Sequence, residues 1–115
     1  MSDIPHKNIY AILKSVQKRP GMFVRDGNNL SDLTTMLHGY EIALRMHNIE
    51  ESGSNFTQRE FTDWLHRKTR IGGALGWAHI IQEIEPESDA AFRKFFELVD
   101  EYKNQNTKNH NLKIR

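Results

Sequence analysis

The longest regular apolar pattern in the chain lies in residues 88–102, which read Ser88-Asp89-Ala90-Ala91-Phe92-Arg93-Lys94-Phe95-Phe96-Glu97-Leu98-Val99-Asp100-Glu101-Tyr102. Its large apolar residues recur every three or four positions, the spacing of one helix face, and are Phe92, Phe95, Phe96, Val99 and Tyr102. Four of them are aromatic, which is too much apolar surface to leave in water. We therefore predict a helix that is capped by Ser88, runs from Asp89 to about Asn104 and supplies much of the core.

Four shorter helices are predicted upstream, because the same periodicity recurs between proline- and glycine-containing turns. They cover about residues 6–18, 31–48, 57–68 and 75–84. No alternating apolar pattern of useful length occurs, so strands are not expected. Residues 22–24 are predicted to form an extended segment laid onto the core. The sequence thus predicts the all-α class, as a compact bundle of about five helices with short loops.

The length of 115 residues fits one domain. We predict a single helical domain over residues 1–104, because every periodic segment lies there. Residues 105–115 are rich in Asn and Lys and show little periodicity. They are predicted to be a polar, frayed C-terminal tail.

Several residues carry specific expectations about the helices. Ser31 is predicted to cap the second helix. Thr57 and Glu60 have the spacing of a capping box at the start of the third. Gly39 lies inside a helix, where glycine costs about 1 kcal/mol relative to alanine, so we expect close packing of a neighbour against it. Ile84 is expected to face inward.

The composition limits the function classes. The net charge of +1 gives no overall attraction to nucleic acid or to an anionic membrane, so only local patches could act. Cysteine is absent, which excludes disulfides and thiolate chemistry and suits the cytoplasm. No apolar run approaches 18 residues, and the N-terminus does not resemble a signal peptide. We expect a cytoplasmic protein that does not bind membranes.

No group of residues has the spacing of an active site. The six histidines are not paired at metal-binding intervals. Gly72-Gly73-Ala74-Leu75-Gly76 lacks the lysine and the preceding strand of a phosphate-binding loop. The serines lack a nucleophile motif. We therefore predict no catalytic residues, no metal and no cofactor; an enzyme with a composite histidine site is the weakest alternative.

Charge is distributed unevenly. Between residues 83 and 101 the chain has seven acids and two bases. The acids are Glu83, Glu85, Glu87, Asp89, Glu97, Asp100 and Glu101. They are the candidate partner-binding residues, because an acidic stripe can face a basic partner. The run from His66 to Arg70 is the strongest basic patch, although cations are also favoured at a helix C-terminus.

Five segments of the chain carry a resemblance to a known group of proteins. They are Lys18 to Phe23, Leu30 to Tyr40, Phe61 to Leu65, Gly76 to Ile81 and Ala90 to Tyr102. In order and content they are similar to small bacterial immunity proteins found beside polymorphic toxins, including those of contact-dependent growth-inhibition systems. The resemblance implies an all-α fold and the binding of a cognate toxin C-terminal domain. It implies no catalytic residues.

These observations predict an immunity protein that neutralises its toxin by covering the active site. If the toxin is a nuclease, the acids would occupy its basic groove in place of phosphates. The alternative is a nucleic-acid-associated regulator, although nucleic acid is the less expected partner. Its residues would be Arg59, Arg67, Lys68 and Arg70, with the tail residues Lys103, Lys108, Lys113 and Arg115. The oligomeric state is left open.

Overall fold

The computed structural model describes residues 8–24, 29–51 and 56–114, with side chains described as far as Gln105. Five α-helices lie in these ranges: α1 (Ile9–Lys18), α2 (Leu30–Met46), α3 (Gln58–Thr69), α4 (Trp77–Ile84) and α5 (Ser88–Ile114). A short 3₁₀ helix, Pro20–Met22, follows α1. The described ranges contain no strand, so the predicted all-α class with about five helices is confirmed.

The chain divides into two units, Met1–Gln58 and Arg59–Arg115. The first unit contains α1, the 3₁₀ helix and α2, and the second contains α3, α4 and α5. The prediction of a single domain over residues 1–104 stays a prediction. None of the helices in the described ranges is both long enough and apolar enough to cross a membrane.

The first unit buries mostly aliphatic side chains. The buried residues are Ile9, Tyr10, Leu13, Val16, Val24, Leu30, Leu33, Leu37 and Phe56. Two backbone amides of this unit donate to carboxylates from elsewhere in it; one is that of Gln58, which is the last residue of the unit and the first of α3. Glu51 accepts a hydrogen bond from the Ile9 N–H at 2.9 Å, and Glu41 accepts one from the Gln58 N–H at 2.8 Å. These bonds satisfy amides that a helix leaves without an internal partner.

The second unit is built around aromatic rings. The Phe61 ring lies 5.5 to 6.0 Å from four others, those of Trp64, Trp77, Phe95 and Tyr102. Trp77 and Phe95 stack at 4.6 Å. Most of these contacts are edge-on or offset, as aromatic quadrupoles favour. The predicted aromatic face of α5 is confirmed, because Phe92, Phe95, Phe96, Val99 and Tyr102 are all buried.

The end of α5 differs from the prediction. The helix continues to Ile114, whereas the predicted tail begins at residue 105. Residues 105–114 contain neither proline nor glycine, so no residue interrupts the backbone hydrogen bonds. Low apolar periodicity was the reason for predicting a tail. Low apolar periodicity does not by itself mark the end of a helix.

Two expectations for α2 are wrong. Its N-cap is Asn29 rather than Ser31, and the Asn29 side chain accepts a hydrogen bond from the Asp32 N–H at 3.1 Å. Asparagine caps as well as serine does, and starting at Leu30 buries that side chain. Gly39 is exposed, and a Cβ at this position would meet nothing within 4 Å. The expected close packing against Gly39 is therefore not found among the described residues.

Two apolar segments also lie differently from their predictions. Residues 22–24 are not extended on the core, because Pro20–Met22 is a 3₁₀ helix and only Val24 is buried. Met22 is 71% exposed and Phe23 39%. Ile84, expected to face inward, is 37% exposed. It lies in the last turn of α4, which ends where Pro86 removes the next amide donor.

Candidate partner-binding surfaces

The first surface is the acidic turn, formed by Glu83, Glu85, Glu87 and Asp89 where α4 ends and α5 begins. The Glu85 N–H donates to the Ile81 carbonyl at 2.8 Å and closes α4. The Ala91 N–H donates to the Glu87 carbonyl, also at 2.8 Å, in the first turn of α5. Pro86 lies between these two hydrogen bonds and cannot donate one itself. The connection between α4 and α5 is therefore short, and acids lie at the end of α4 and at the start of α5.

The acidic turn is dense in negative charge, and its nearest Arg or Lys in the sequence is Arg93, one turn beyond Asp89 on α5. Residues 80–92 contain these four acids and no Lys or Arg. Glu85 is half-buried and the other three are exposed. Glu83 lies 3.8 Å from the His79 imidazole, a contact that is an ion pair only when the histidine is protonated. The exposed Ile84 adds an apolar side chain to the same turn.

The remaining acids of the predicted set belong to a different surface. Glu97, Asp100 and Glu101 share one face of α5, because they are three and four residues apart. Two of them have cationic partners within the second unit. Glu97 lies 3.6 Å from Lys94, and Glu101 lies 2.6 Å from Lys68. The structure thus separates the seven predicted acids into an acid-rich turn and a mixed-charge helix face.

The predicted basic patch on α3 is also mixed. Arg59, Arg67 and Arg70 are exposed, but Asp63 lies one turn from both Arg59 and Arg67. Lys68 is engaged by Glu101 and lies 5.7 Å from the centre of the Trp64 ring. Of the tail cations added to this patch, Lys103 is exposed on α5. The side chains of Lys108, Lys113 and Arg115 lie outside the described part.

A third charged surface was missed by the sequence analysis. The residues from Asn8 to Val24 include three cations, Lys14, Lys18 and Arg19, and no Asp or Glu. All three cations are exposed, and Met22 and Phe23 follow them at the surface. The lack of acids in this segment is visible in the sequence. The exposure of Met22 and Phe23 is not, because two adjacent apolar residues are usually expected in the protein core.

The C-terminal end of α2 forms a shallow, open depression lined by Leu44, Arg45, Asn48, Ile49 and Glu50. Met46 and Ile49 are 76% and 54% exposed there. Charges of both signs and apolar groups alternate around it.

The titratable side chains of the described ranges form no metal cage, since no three His, Asp or Glu residues converge. Every buried side chain in these ranges is hydrophobic. His66 Nδ1 lies 2.8 Å from the Ile71 carbonyl oxygen, at the end of α3. His38 and His47 are exposed on and just after α2. The side chains of His6 and His110 lie outside the described part.

No protein-family model matches the sequence, and neither a curated protein nor a solved structure matches it significantly. The surfaces described above are therefore the basis on which a function can be argued.

Proposed function

We propose that this chain is a bacterial immunity protein that binds the C-terminal domain of a cognate toxin and covers its active site. The observation that supports the proposal best is the acidic turn, where four acids have no Lys or Arg among them. A nuclease toxin must bind phosphates, so its active-site groove is basic. The acidic turn has the charge to fill such a groove.

Carboxylates would act here as phosphate substitutes. Opposite charges on the two surfaces steer the encounter and fix the orientation of the complex. Charge alone does not hold a complex at high salt, because exposed charges are screened. Ile84, within the turn and 37% exposed, would supply an apolar contact that salt does not weaken. In this proposal the complex forms in the cytoplasm and no catalysis by the chain is required.

The acids of α5 would contribute less than those of the acidic turn. Glu101 would have to give up Lys68 before it could bind a partner's cation. Glu97 has Lys94 beside it, and Arg93 lies on the same face. Nearby cations weaken the attraction of a basic groove for this face.

The test is co-expression with the toxin C-terminal domain encoded beside this gene. We expect growth to be rescued and a one-to-one complex to survive about 0.5 M salt, where purely electrostatic binding fails. The double variant Glu85→Lys/Glu87→Lys should weaken the complex by at least about tenfold, because like charges would face each other.

The matched control is Glu97→Lys/Asp100→Lys, which reverses the same amount of charge on α5. We expect a change in affinity below about threefold, as for charges outside an interface core. A larger loss in the control than in the acidic-turn variant would move the interface to α5. Failure of the unmodified chain to rescue growth or to bind would overturn the immunity proposal.

The second candidate function is nucleic-acid-associated regulation through Arg59, Arg67, Lys68 and Arg70. The observation in its favour is that Arg59, Arg67 and Arg70 are exposed and make no ion pair within the described residues. It predicts nucleic acid that co-purifies with the chain and an affinity that falls steeply with salt. The variant Arg67→Glu/Arg70→Glu would then release the nucleic acid and leave the toxin assay unchanged.

A further inference from the structure

The basic face, which we define as Lys14, Lys18, Arg19, Met22 and Phe23, is an exposed surface with no partner in the described part of the chain. Lys14 and Lys18 are one turn apart on α1, and Arg19 follows as its C-cap. None of these three cations makes an ion pair with a described residue. Three exposed cations that pair with no described residue thus lie beside two exposed apolar side chains.

The apolar part of this face is held in place. The Phe23 and Val24 N–H groups both donate to the Pro20 carbonyl at 3.0 Å. Val24 is buried and anchors the far end of the turn. The other side of α1 is anchored by Ile9, Leu13 and Val16, which are buried. Met22 and Phe23 are therefore presented at the surface at little cost in chain entropy.

The chain itself carries the complementary surface. The acidic turn has four acids and the exposed Ile84, and the basic face has three cations with Met22 and Phe23. We propose that the basic face of one molecule binds the acidic turn of a second copy of the chain. Ion pairs would fix the orientation, and Met22, Phe23 and Ile84 would form the apolar centre of the contact.

The composition of the basic face favours a protein over other anionic partners. Met22 is its most exposed apolar residue. Phe23 is the only ring of this face on which a base could stack, whereas the flexible thioether of methionine is common at protein-binding surfaces. An anionic lipid surface would engage only two apolar side chains here, because the apolar side of α1 is buried.

This contact joins two unlike patches of the chain. It would occupy the acidic turn that the proposed function assigns to the toxin, and the two partners would compete for it. The inference does not require a toxin, since self-association is a property of the chain alone. A self-associated form would keep the acidic turn covered until a tighter partner displaces the second copy.

The experiment is sedimentation of the full chain over a range of concentrations. We expect the average mass to rise with concentration at low salt and to fall towards the monomer near 1 M salt, where the Debye length is about 3 Å. Two double variants, Lys14→Glu/Lys18→Glu and Glu85→Lys/Glu87→Lys, should each weaken self-association by at least about tenfold.

An equimolar mixture of the two variants is the decisive sample. The intact acidic turn of one variant can bind the intact basic face of the other, so the mixture should recover association that neither variant shows alone. Recovery also demonstrates that both variants are folded. The matched control, Arg59→Glu/Arg67→Glu, changes exposed charges on α3 and should associate like the unmodified chain.

A chain that stays monomeric at low salt up to about 1 mM, a concentration that detects even weak complexes, would overturn the proposal. A mixture that does not recover association would also overturn it. So would binding of RNA or of phosphatidylserine vesicles that depends on Lys14 and Lys18 in a chain that does not self-associate. Growth rescue by Lys14→Glu/Lys18→Glu is measured separately, because this variant keeps the acidic turn and tests the proposed function alone.

Discussion

The two units bury different kinds of side chain. The second unit packs rings around Phe61, where one aromatic residue removes a large area from water. The first unit relies on smaller aliphatic residues such as Leu13 and Leu33. Both units leave large apolar side chains exposed, namely Met22, Met46 and Ile49 in the first and Leu75 in the second.

A comparison of α2 with α5 shows that regularly spaced apolar residues on a helix are not always buried. Apolar residues recur along the whole length of α2, yet its buried residues lie only in the first half, at Leu30, Leu33 and Leu37. In the second half, Ala43 and Met46 are exposed. In α5 the predicted face is buried throughout residues 92–102. Three predictions about the free energy of unfolding test how much the buried and exposed positions of the two units contribute to stability.

The largest effect is expected from Phe61→Ala in the second unit. The side chain is fully buried, and four rings would lose contacts to it at once. Truncation of a buried phenylalanine typically costs about 3 to 5 kcal/mol of unfolding free energy. Urea unfolding followed by circular dichroism measures it.

The matched control is Phe23→Ala in the first unit, the same chemical change at a side chain that is 39% exposed. Its cost should stay below about 1 kcal/mol, as is usual for surface positions. Equal losses at the two positions would show that the ring cluster is no more important to stability than the exposed turn.

A smaller effect is expected from Glu51→Ala in the first unit. The carboxylate accepts a hydrogen bond from the first amide of α1, and its negative charge suits the helix N-terminus. Loss of a cap of this kind costs about 0.5 to 2 kcal/mol. Glu50→Ala, the exposed neighbour, should change the unfolding free energy by less than about 0.5 kcal/mol. Indistinguishable unfolding curves for the two variants would argue against the cap.

The smallest effect is expected from Gly39→Ala, and it should be stabilising. Gly39 lies in the middle of α2 with nothing within 4 Å of an added Cβ. Alanine is favoured over glycine there by about 1 kcal/mol. The contrasting variant is Gly76→Ala, which should destabilise because Gly76 has φ +91°. A loss of stability in Gly39→Ala, measured by thermal unfolding, would mean that a neighbour does approach this glycine.

The sequence predicts the parts of the fold that depend on local signals. The aromatic face of α5 and the start of α3 after Thr57 both follow from spacing within a few residues. The capping choice at α2 failed because Asn29 and Ser31 are equally good caps. With Asn29 as the cap, α2 begins at Leu30, whose side chain is buried. This burial depends on tertiary packing, which the local sequence does not show.

The candidate surfaces were less predictable than the helices. The acidic turn follows from composition, because four acids occur without a cation. The pairing of Glu101 with Lys68 does not, since the two are 33 residues apart. No local pattern reports such a contact. Exposure at Ile84 and Met22 depends likewise on what the rest of the chain covers.

The hydrogen bond between Glu51 and Ile9 also has a consequence for synthesis on the ribosome. It joins residues 42 positions apart in the chain. The first amide of α1 therefore cannot donate to the Glu51 carboxylate until residue 51 has been translated and has left the exit tunnel. At about 5 to 20 residues per second, this interval lasts on the order of seconds. The N-terminal helix is thus completed late, by a segment made long after it.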